Sequence, residues 1–273
     1  MSIDLDRVFP LHTGVATVTE IRRLTPAMSR FTLEAPAFAE PGIEQPGEIM
    51  TLGWPENGEE LVLPRVGWRF PEGRPEQHWR NFTVRTFDPA SATIDVDFFL
   101  HGDTGRASAW AGRARAGDQL GYAGPRMHWQ PDPAADWSLL VADETGLPAL
   151  LAIIETLPAG RRAIAIAEAA DDSERQEVSS AADVELHWAL RHGRLPGTTG
   201  VLVDALHGIE LPPDSAGQVW GGGEALAMRD IRRHLQAKRP DLAGAMKLLG
   251  YWKHRMTPTT STNRSSSPTG AAA

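Results

Sequence analysis

The heptapeptide QPDPAAD, residues Gln130–Asp136, separates two different hydrophobic patterns in this chain. Two prolines and two aspartates in seven positions are typical of a linker, because such residues favour extended or turn backbone and bury little surface. Short β-type runs precede it, and longer apolar runs alternating with helical segments follow it. The sequence therefore predicts two domains, residues 1–130 and 137–256, joined by a linker over 131–136.

The first half is rich in short strand signals. Runs such as Gly14–Val18, Arg30–Leu33 and Thr93–Phe98 are separated by Pro and Gly, and a single helix is expected at Ala107–Ala116. This pattern predicts an antiparallel Greek-key β-barrel.

The second half alternates apolar strands with helices, which predicts a parallel α/β sheet. The residues after 256 are Ser, Thr, Pro, Gly and Ala without apolar periodicity, so we expect disorder over 257–273. The predicted strands are Trp137–Ala142, Ala163–Glu168, Val201–Val203, Gln218–Trp220 and Met246–Tyr251, with a short element of unassigned type near Val184–Ala189, and the predicted helices are Leu147–Leu157 and Glu224–Lys238.

Composition excludes several classes of function. The chain has 273 residues, a formal net charge of -8 and no cysteine. A negative chain makes a poor partner for nucleic acid. Without cysteine there is no disulfide, thiolate metal site or iron–sulfur ligation, so electron transfer would need an organic cofactor. The start of the chain has no apolar signal region, and the apolar stretch Leu147–Ile154 is too short to span a membrane, so we expect a cytoplasmic protein without membrane insertion.

The first chemical motif is RNFTVR, residues 80–85. In a strand, Arg80, Phe82 and Val84 would share one face, and the residues between them the other. Arginine binds phosphate, an aromatic face covers a planar ring, and the hydroxyl of Thr83 can address a ring nitrogen. The alternative is an ordinary barrel strand with solvated arginines.

The second motif is HGDTGRASAW, residues 101–110, in which a strand ends in a glycine turn and a helix begins. Free amides at a helix start favour a pyrophosphate, and Ser108 could cap the helix or donate to the ligand. The alternative is a plain strand-to-helix turn with His101 satisfied locally.

Three further motifs lie in the second half. DETGLP, residues 143–148, and WGGGEA, residues 220–225, both place a turn between a strand and a helix, where a nucleotide can bind. The fingerprint GxGxxG is absent, and Asp143 with Glu144 would repel an adjacent phosphate. The third motif, GYWK at residues 250–253, ends the last strand. The alternatives are a tight crossover turn at the glycines and an interdomain packing cluster at the aromatics.

Taken in series, these segments resemble the siderophore-interacting proteins, a family of flavin-dependent ferric-siderophore reductases related to ferredoxin–NADP reductases. The resemblance covers the chain from about Gly14 to Lys253. It rests on an RxYT-type run at Arg80–Thr83, LHGxxGxAS at Leu100–Ser108, GDxLGxxGPR at Gly117–Arg126, DETxLPA at Asp143–Ala149, GGEA at Gly222–Ala225 and GYW at Gly250–Trp252.

The resemblance implies FAD in the barrel. Arg80 would hold an FAD phosphate, Phe82 would lie against the isoalloxazine and Thr83 would face flavin N5. His101 and Gly102 would line the flavin, while the pyrophosphate would be surrounded by Gly105, Ala107 and Ser108.

The resemblance also implies a nicotinamide-nucleotide site on the second domain. Tyr251 and Trp252 would lie near the exposed flavin face and, with Thr83, take part in catalysis. The nucleotide would be bound by Asp143, Glu144, Thr145, Gly146, Pro148, Gly222, Gly223, Glu224 and Ala225.

The sequence departs from the family pattern at three positions. The family usually has Tyr at Phe82 and Pro at Arg106, and often has Lys where this chain has Thr51. That lysine is associated with the ferric-siderophore site, so its loss bears on substrate class. The cations left to contact a ferric chelate, which we expect to be of the hydroxamate type, are Arg126, Lys253 and Arg255.

The implied reaction is hydride transfer from NADH or NADPH to the flavin, followed by single-electron delivery to Fe(III). Oxygen ligands hold ferric iron more tightly than ferrous iron, so reduction releases the metal without any protein metal site. Glu168 favours NADH as an acceptor for a ribose hydroxyl, whereas Ser173 and Arg175 would suit a 2′-phosphate. The alternatives are a general flavin reductase linked to ferredoxin or quinones, and a siderophore carrier without redox chemistry.

Overall fold

The first sheet has seven antiparallel strands. The computed structural model describes residues 12–39, 47–55, 60–65, 70–71, 78–103, 105–127, 129–213 and 215–254. Their order in the sheet is β4-β3-β7-β1-β2-β6-β5, so β7 returns from the end of the domain to lie between β1 and β3. The strands are β1 (His12–Thr25), β2 (Met28–Glu34), β3 (Ile49–Gly53), β4 (Trp79–Thr83), β5 (Thr86–Asp88), β6 (Thr93–Phe99) and β7 (Gln119–Arg126).

The core of this domain follows from the alternation of residues along its strands. Phe31 and Leu33 on β2 are fully buried, while Arg30, Thr32 and Glu34 between and beside them are more exposed. Only two residues, Val84 and Arg85, separate β4 from β5, so the chain passes directly from one edge of the sheet to the other. The helix α1 (Arg106–Ala111) covers Phe31 and Phe98 through Trp110. It ends earlier than the predicted Ala116, since Gly112 follows it.

The second sheet has five parallel strands in the order β10-β9-β8-β11-β12. All six residues of β8 are buried, because helices cover both faces of the sheet. Its strands are β8 (Trp137–Ala142), β9 (Arg162–Ala169), β10 (Asp183–Leu190), β11 (Gly217–Glu224) and β12 (Met246–Trp252), and its helices are α2 (Leu147–Thr156), α3 (Val201–His207) and α4 (Ala225–Lys238).

One predicted element of the second domain is wrong. Val201–Val203 was expected to form a strand and instead begins α3. Strands β10 and β11 run in the same direction, so the chain must cross back between them, and α3 lies in that connection. Leu202 and Leu206 are buried four residues apart, on the same face of the helix. Tertiary packing therefore overrides the β propensity of valine.

The two domains meet along α2 and the β1–β2 hairpin. Met28 packs in the same buried cluster as residues of α2 and β8. The Thr25 hydroxyl donates to the Glu174 carboxylate over 2.5 Å, and Arg85 donates to Glu155 on α2 over 2.5 Å. These contacts fix the orientation of the second sheet relative to β4 and β5.

Within the described ranges, no helix is both long and apolar enough to cross a membrane. The predicted disordered tail, residues 257–273, lies outside the described residues.

Candidate functional site

Strand β4 carries the first predicted motif. Arg80 is exposed, and its guanidinium donates to the Trp79 carbonyl over 2.9 Å. Phe82 is partly buried, with its ring centroid 4.3 Å from that of Phe98. Thr83 is 7% exposed, and among the described residues its hydroxyl has no hydrogen-bond partner. The strand therefore offers a cation, an aromatic ring and a hydroxyl within four residues.

The turn after β6 carries the second motif. The Ser108 hydroxyl accepts a hydrogen bond from the His101 amide over 2.8 Å, so this buried side chain fixes the turn from within. Gly102 has φ +82°, and a β-carbon built there would have no heavy atom within 4 Å. A β-carbon on Gly105 would lie 2.3 Å from His101 Cε1. The described part of the turn is thus exposed backbone that favours glycine at position 102, because of its positive φ.

These two segments fit an FAD. A bound dinucleotide needs a cation for its phosphates and backbone that it can approach closely. The exposed guanidinium of Arg80 and the uncovered backbone at Gly102 supply both. Ala107 is partly buried beside the same turn.

A third group of side chains links three neighbouring strands. Arg126 Nη2 donates to Thr51 Oγ1 over 2.5 Å and to Asn81 Oδ1 over 2.7 Å, and the Thr51 hydroxyl donates to Asn81 Oδ1 over 2.7 Å. Between β3 and β7 the register passes from Thr51↔Ala123 to Ile49↔Arg126, which leaves one extra residue in β7. This bulge turns Arg126 back across β3. Burial lowers the pKa of Arg126, and an arginine remains charged at neutral pH.

Asp143 joins the loops at the carboxyl end of the second sheet. It accepts from the amide and hydroxyl of Thr145 over 2.8 and 2.6 Å, from the Glu224 amide over 2.8 Å and from Trp252 Nε1 over 2.7 Å. Burial raises the pKa of Asp143, and these four hydrogen bonds oppose that rise. The carboxylate that was expected to face a nucleotide therefore holds three segments of the protein together.

Glu224 caps α4. Its carboxylate accepts from the amides of Leu226 and Ala227 over 2.6 and 2.9 Å, and its other oxygen accepts from the His254 amide over 3.1 Å. This is the position that a bound phosphate would take at a helix start. The Leu226 and Ala227 amides of α4 therefore already have a hydrogen-bond acceptor within the protein.

The glycine motif of β11 is packed closely from both sides. A β-carbon on Gly222 would lie 2.9 Å from the Tyr251 ring, and one on Gly223 would lie 2.8 Å from the Asp143 carboxylate. On the other side, a β-carbon on Gly146 would lie 2.2 Å from the Gly222 carbonyl oxygen. These glycines therefore serve close packing between loops. Pro148 is also buried, and Thr145 and Ala225 are the partly exposed members of the predicted nucleotide set.

Sequence analysis missed a buried ion cluster beside these loops. Arg191, 3% exposed, lies 2.6 Å from a Glu144 oxygen and donates to Glu168 over 3.1 Å. Burial raises the pKa of Glu168 to about 7, although Arg191 opposes the rise; Asp143 and Glu144 add to it. Burial likewise raises the pKa of Glu144. The sequence signal was slight: an arginine two residues after the predicted segment Val184–Ala189.

The last strand ends in the predicted aromatic pair. Tyr251 is 37% exposed, and burial of its hydroxyl, with the nearby charge of Asp143, raises its pKa to about 12. Trp252 is held by Asp143, and Lys253 is exposed. Arg255 lies outside the described residues.

The structure thus divides the predicted residues into two sets. The barrel set around Arg80 and Gly102 is open, while most of the second-domain set is buried and bonded internally. Within the described residues, no cluster of three His, Asp or Glu side chains is arranged to hold a metal ion.

Comparison with known proteins identifies the family. A family model described as Siderophore-interacting FAD-binding domain matches residues 17–129, and one described as Siderophore-interacting protein matches residues 135–255. The chain belongs to the siderophore-interacting protein family. This confirms the family predicted from the sequence, and the description of the first domain confirms FAD as its cofactor.

Three curated relatives are similar to this chain. An uncharacterized protein of Mycobacterium tuberculosis is 34% identical over 187 residues, which are 65% of this chain and 66%, about two thirds, of that protein. Ferric vibriobactin reductase of Vibrio cholerae is 25% identical over 263 residues, 93% of each chain. NADPH-dependent ferric-chelate reductase of Escherichia coli is 28% identical over 246 residues, 86% of this chain and 91% of that one.

Solved structures agree with the fold. A siderophore utilization protein from T. fusca is 35% identical and aligns with a TM-score of 0.81 over 92% of this chain and 96% of that one. A ferredoxin NADP+ reductase from Neisseria gonorrhoeae is 15% identical and aligns with a TM-score of 0.60 over 88% and 99%. The predicted two-domain fold of the ferredoxin–NADP reductase type is therefore confirmed.

Proposed function

We propose that this protein is an FAD-dependent ferric-siderophore reductase that takes its electrons from NADH or NADPH. The observation that carries the proposal is that β4 carries residues of the flavin set as well as a residue that binds Arg126. Arg80 and Thr83 on this strand belong to the flavin set, and Asn81 between them binds Arg126 over 2.7 Å. A cationic, oxygen-binding group therefore lies directly beside the strand that would hold the electron donor.

FAD would be held by the barrel residues. Arg80 would contact a phosphate, Phe82 would cover the ring system, and the hydroxyl of Thr83, which has no partner among the described residues, would donate to it. His101, Gly102 and Gly105 would line the group along the open turn after β6. When bound, FAD would supply the ability to accept two electrons from NAD(P)H and pass them on singly to two ferric chelates.

Arg126 and Lys253 would contact the ferric chelate. Siderophores hold Fe(III) through oxygen atoms, which accept hydrogen bonds from guanidinium and ammonium groups. Each chelate gains one electron, and the weaker Fe(II) complex then releases its metal. The nicotinamide coenzyme loses a hydride, and one proton is released for every two iron centres reduced.

On the second domain, the structure removes the basis for favouring NADH. Glu168 was expected to accept from a ribose hydroxyl, but its carboxylate is 6% exposed and bonded to Arg191. Ser173 donates to Asp171, and Arg175 is paired with Asp172 over 2.7 Å. The Arg175 side chain is 48% exposed and its surface ion pair is weak, so Arg175 stays a candidate 2′-phosphate ligand.

The finer parts of the proposal concern the substrate and the compartment. We propose a hydroxamate chelate as substrate and the cytoplasm as the site of reaction, with ferredoxin as an alternative electron donor. Relatives of 25% and 28% identity that are described as ferric reductases support the reaction type.

The visible spectrum of the purified protein tests the proposal. Under anaerobic conditions, flavin bands should bleach with NADH or NADPH and return when ferrichrome is added, while a ferrous chelator develops its colour. If the bands bleach only with reduced ferredoxin, the alternative donor is correct. A protein that binds ferrichrome but takes up no FAD would instead be a siderophore carrier, and the proposal would be wrong.

A further inference from the structure

Helices α3 and α4 bring two histidines into contact. His207 is the last residue of α3, and His234 lies within α4. Their ring centroids are 4.3 Å apart, and the ring planes are tilted by 44°. We propose that His207 and His234 together bind a divalent transition metal ion, with a preference for Cu²⁺ and Ni²⁺ over Zn²⁺. The inference is independent of the proposed function, because the proposed reaction uses neither histidine.

The pair lies on the face of the second sheet that is turned away from the barrel. Helices α3 and α4 pack against this face, where their buried residues form one cluster with Val219 and Leu248. The opposite face, which includes Trp220, packs against α2 and against Met28 of the barrel. A metal ion at the pair would therefore lie across the sheet from the barrel and the flavin residues that it carries.

The hydrophobic core fixes the backbone at both histidines. Leu206, directly before His207, is 1% exposed, and Leu235, directly after His234, is 0% exposed. Both leucines belong to the cluster beneath the two helices. The two ligands are therefore held close together before any metal binds, so ordering of the backbone adds little to the cost of binding.

The separation of the rings sets the angle that the two ligands make at a shared ion. A metal ion about 2.1 Å from an imidazole nitrogen lies about 3.2 Å from the centroid of that ring. Two centroids 4.3 Å apart then enclose an angle of about 85° at the metal. His207 is exposed, so its ring can turn about the terminal side-chain torsion and aim a nitrogen at this point.

This angle distinguishes between metals. Neighbouring ligands in square-planar or octahedral geometry, which suits Cu²⁺ and Ni²⁺, are about 90° apart, whereas the tetrahedral geometry of Zn²⁺ needs ring centroids about 5.2 Å apart. Imidazole suits all three metals, and a chain without cysteine has no thiolate to compete for them. Within the described residues no third His, Asp or Glu completes the set, so water would take the remaining positions.

The surroundings keep the imidazoles available to a cation. Burial, the neighbouring His207 and the charge of Lys238 all lower the pKa of His234, so its ring is neutral at neutral pH. Neutral imidazole is the form that ligates a metal. His207 ends α3, where the helix dipole favours positive charge. Lys238 opposes a bound cation, whereas Asp204, one turn before His207, adds a negative charge on the same side of α3.

Isothermal titration calorimetry of the FAD-loaded protein tests the inference, with CuCl₂, NiCl₂ and ZnCl₂ as probes in a buffer that does not coordinate metals. One ion of Cu²⁺ or Ni²⁺ should bind per chain, and Zn²⁺ should bind more weakly than Ni²⁺. His207→Ala and His234→Ala should each weaken Ni²⁺ binding by roughly tenfold or more. His12→Ala removes an exposed imidazole of β1 and is the matched control, so it should leave the affinity unchanged.

Electron paramagnetic resonance of the Cu²⁺ complex supplies an independent readout. The wild type should show hyperfine coupling to two imidazole nitrogens, and each histidine variant should show coupling to one. Lys238→Gln should tighten Ni²⁺ binding, because it removes a like charge. An Ni²⁺ affinity that is unchanged in both histidine variants, or Cu²⁺ coupled to a single nitrogen in the wild type, would overturn the inference.

The same variants keep this inference separate from the proposed function. Both should retain FAD and reduce ferrichrome as the wild type does, since the pair lies across the sheet from the barrel. His207 is exposed, so His207→Ala tests the inference even where His234→Ala fails to fold. A wild type that binds Ni²⁺ through the pair but reduces no ferric chelate would support the metal site and overturn the proposed function alone.

Discussion

Replacing Glu168 by Gln tests the buried ion cluster of the second domain. In the folded protein Glu168 lies beside one cation, Arg191, and near two further carboxylates, Asp143 and Glu144. Burial is the main reason that its pKa is raised from 4.5 to about 7. The unfolded chain therefore loses this proton at lower pH than the folded protein does.

The sign of the effect on stability follows because the pKa of Glu168 is higher in the folded protein than in the unfolded chain. Between about pH 4.5 and 7 the unfolded state binds fewer protons than the folded state, so the free energy of unfolding falls as pH rises. At about 1.36 kcal/mol per pH unit, the total loss is about 3 kcal/mol, of which about 2 to 3 kcal/mol falls between pH 5 and pH 8. A glutamine cannot ionise, so Glu168→Gln should lack this part of the pH dependence.

The assay is urea unfolding followed by tryptophan fluorescence at pH 5, 6, 7 and 8. The quantity of interest is the difference in unfolding free energy between wild type and Glu168→Gln at each pH, because other titrating groups largely cancel. That difference should move in favour of the variant as pH rises. Glu177→Gln, at an exposed site, is the matched control and should show a flat difference. A flat difference for Glu168→Gln as well would refute the burial argument.

Three further predictions follow from single contacts. Arg80→Ala should weaken FAD binding by roughly tenfold to a hundredfold, since a hydrogen bond to a charged group contributes about 1.5–3 kcal/mol. Flavin fluorescence on dilution of the protein measures the release of FAD. A variant that retains FAD as well as the wild type does would remove Arg80 from the site. Arg85→Ala should lower the free energy of unfolding by about 2–3 kcal/mol, because Asp97, whose side chain is 1% exposed, and Glu155 both lose this partner. Urea unfolding measures the loss. A loss no larger than that of Arg22→Ala would contradict the prediction. Asp143→Asn should lower the free energy of unfolding by about 2 kcal/mol and shift tryptophan emission to the red. One carboxylate oxygen of Asp143 accepts from both Trp252 and Glu224. An unchanged emission maximum would contradict the role of Asp143 in holding Trp252.

The strands and helices that could be predicted are those whose pattern is complete within one segment. Strand β8 has the predicted bounds, Trp137–Ala142, because its six residues, all apolar except Ser138, lie between an aspartate on each side. Helix α4 differs from its prediction by a single residue, since Glu224 is a side-chain cap rather than part of the helix. In both cases the local sequence and the tertiary structure favour the same element.

The side-chain clusters could not be predicted in the same way. Arg126 meets Thr51 and Asn81 because β7 returns beside β3, and a bulge then re-aims its side chain. Strand order and bulges depend on packing between segments 45 to 75 residues apart. The residue pattern within a single strand does not indicate the strand order or the position of a bulge. Arg191 was missed for the same reason, since its carboxylate partners come from strand β9 and from the turn after β8.

The acidic residues of the glycine motifs change how those motifs are interpreted. A glycine turn before a helix usually indicates an anion site, because the first amides of the helix are free. Here the first α4 amides bind Glu224, and those of the turn before α2 bind Asp143. Both carboxylates also bind the C-terminal part of β12 and the residues just after it, at Trp252 and His254. The same charges that would repel a phosphate therefore hold the end of β12, and glycine is required there because the loops approach each other closely.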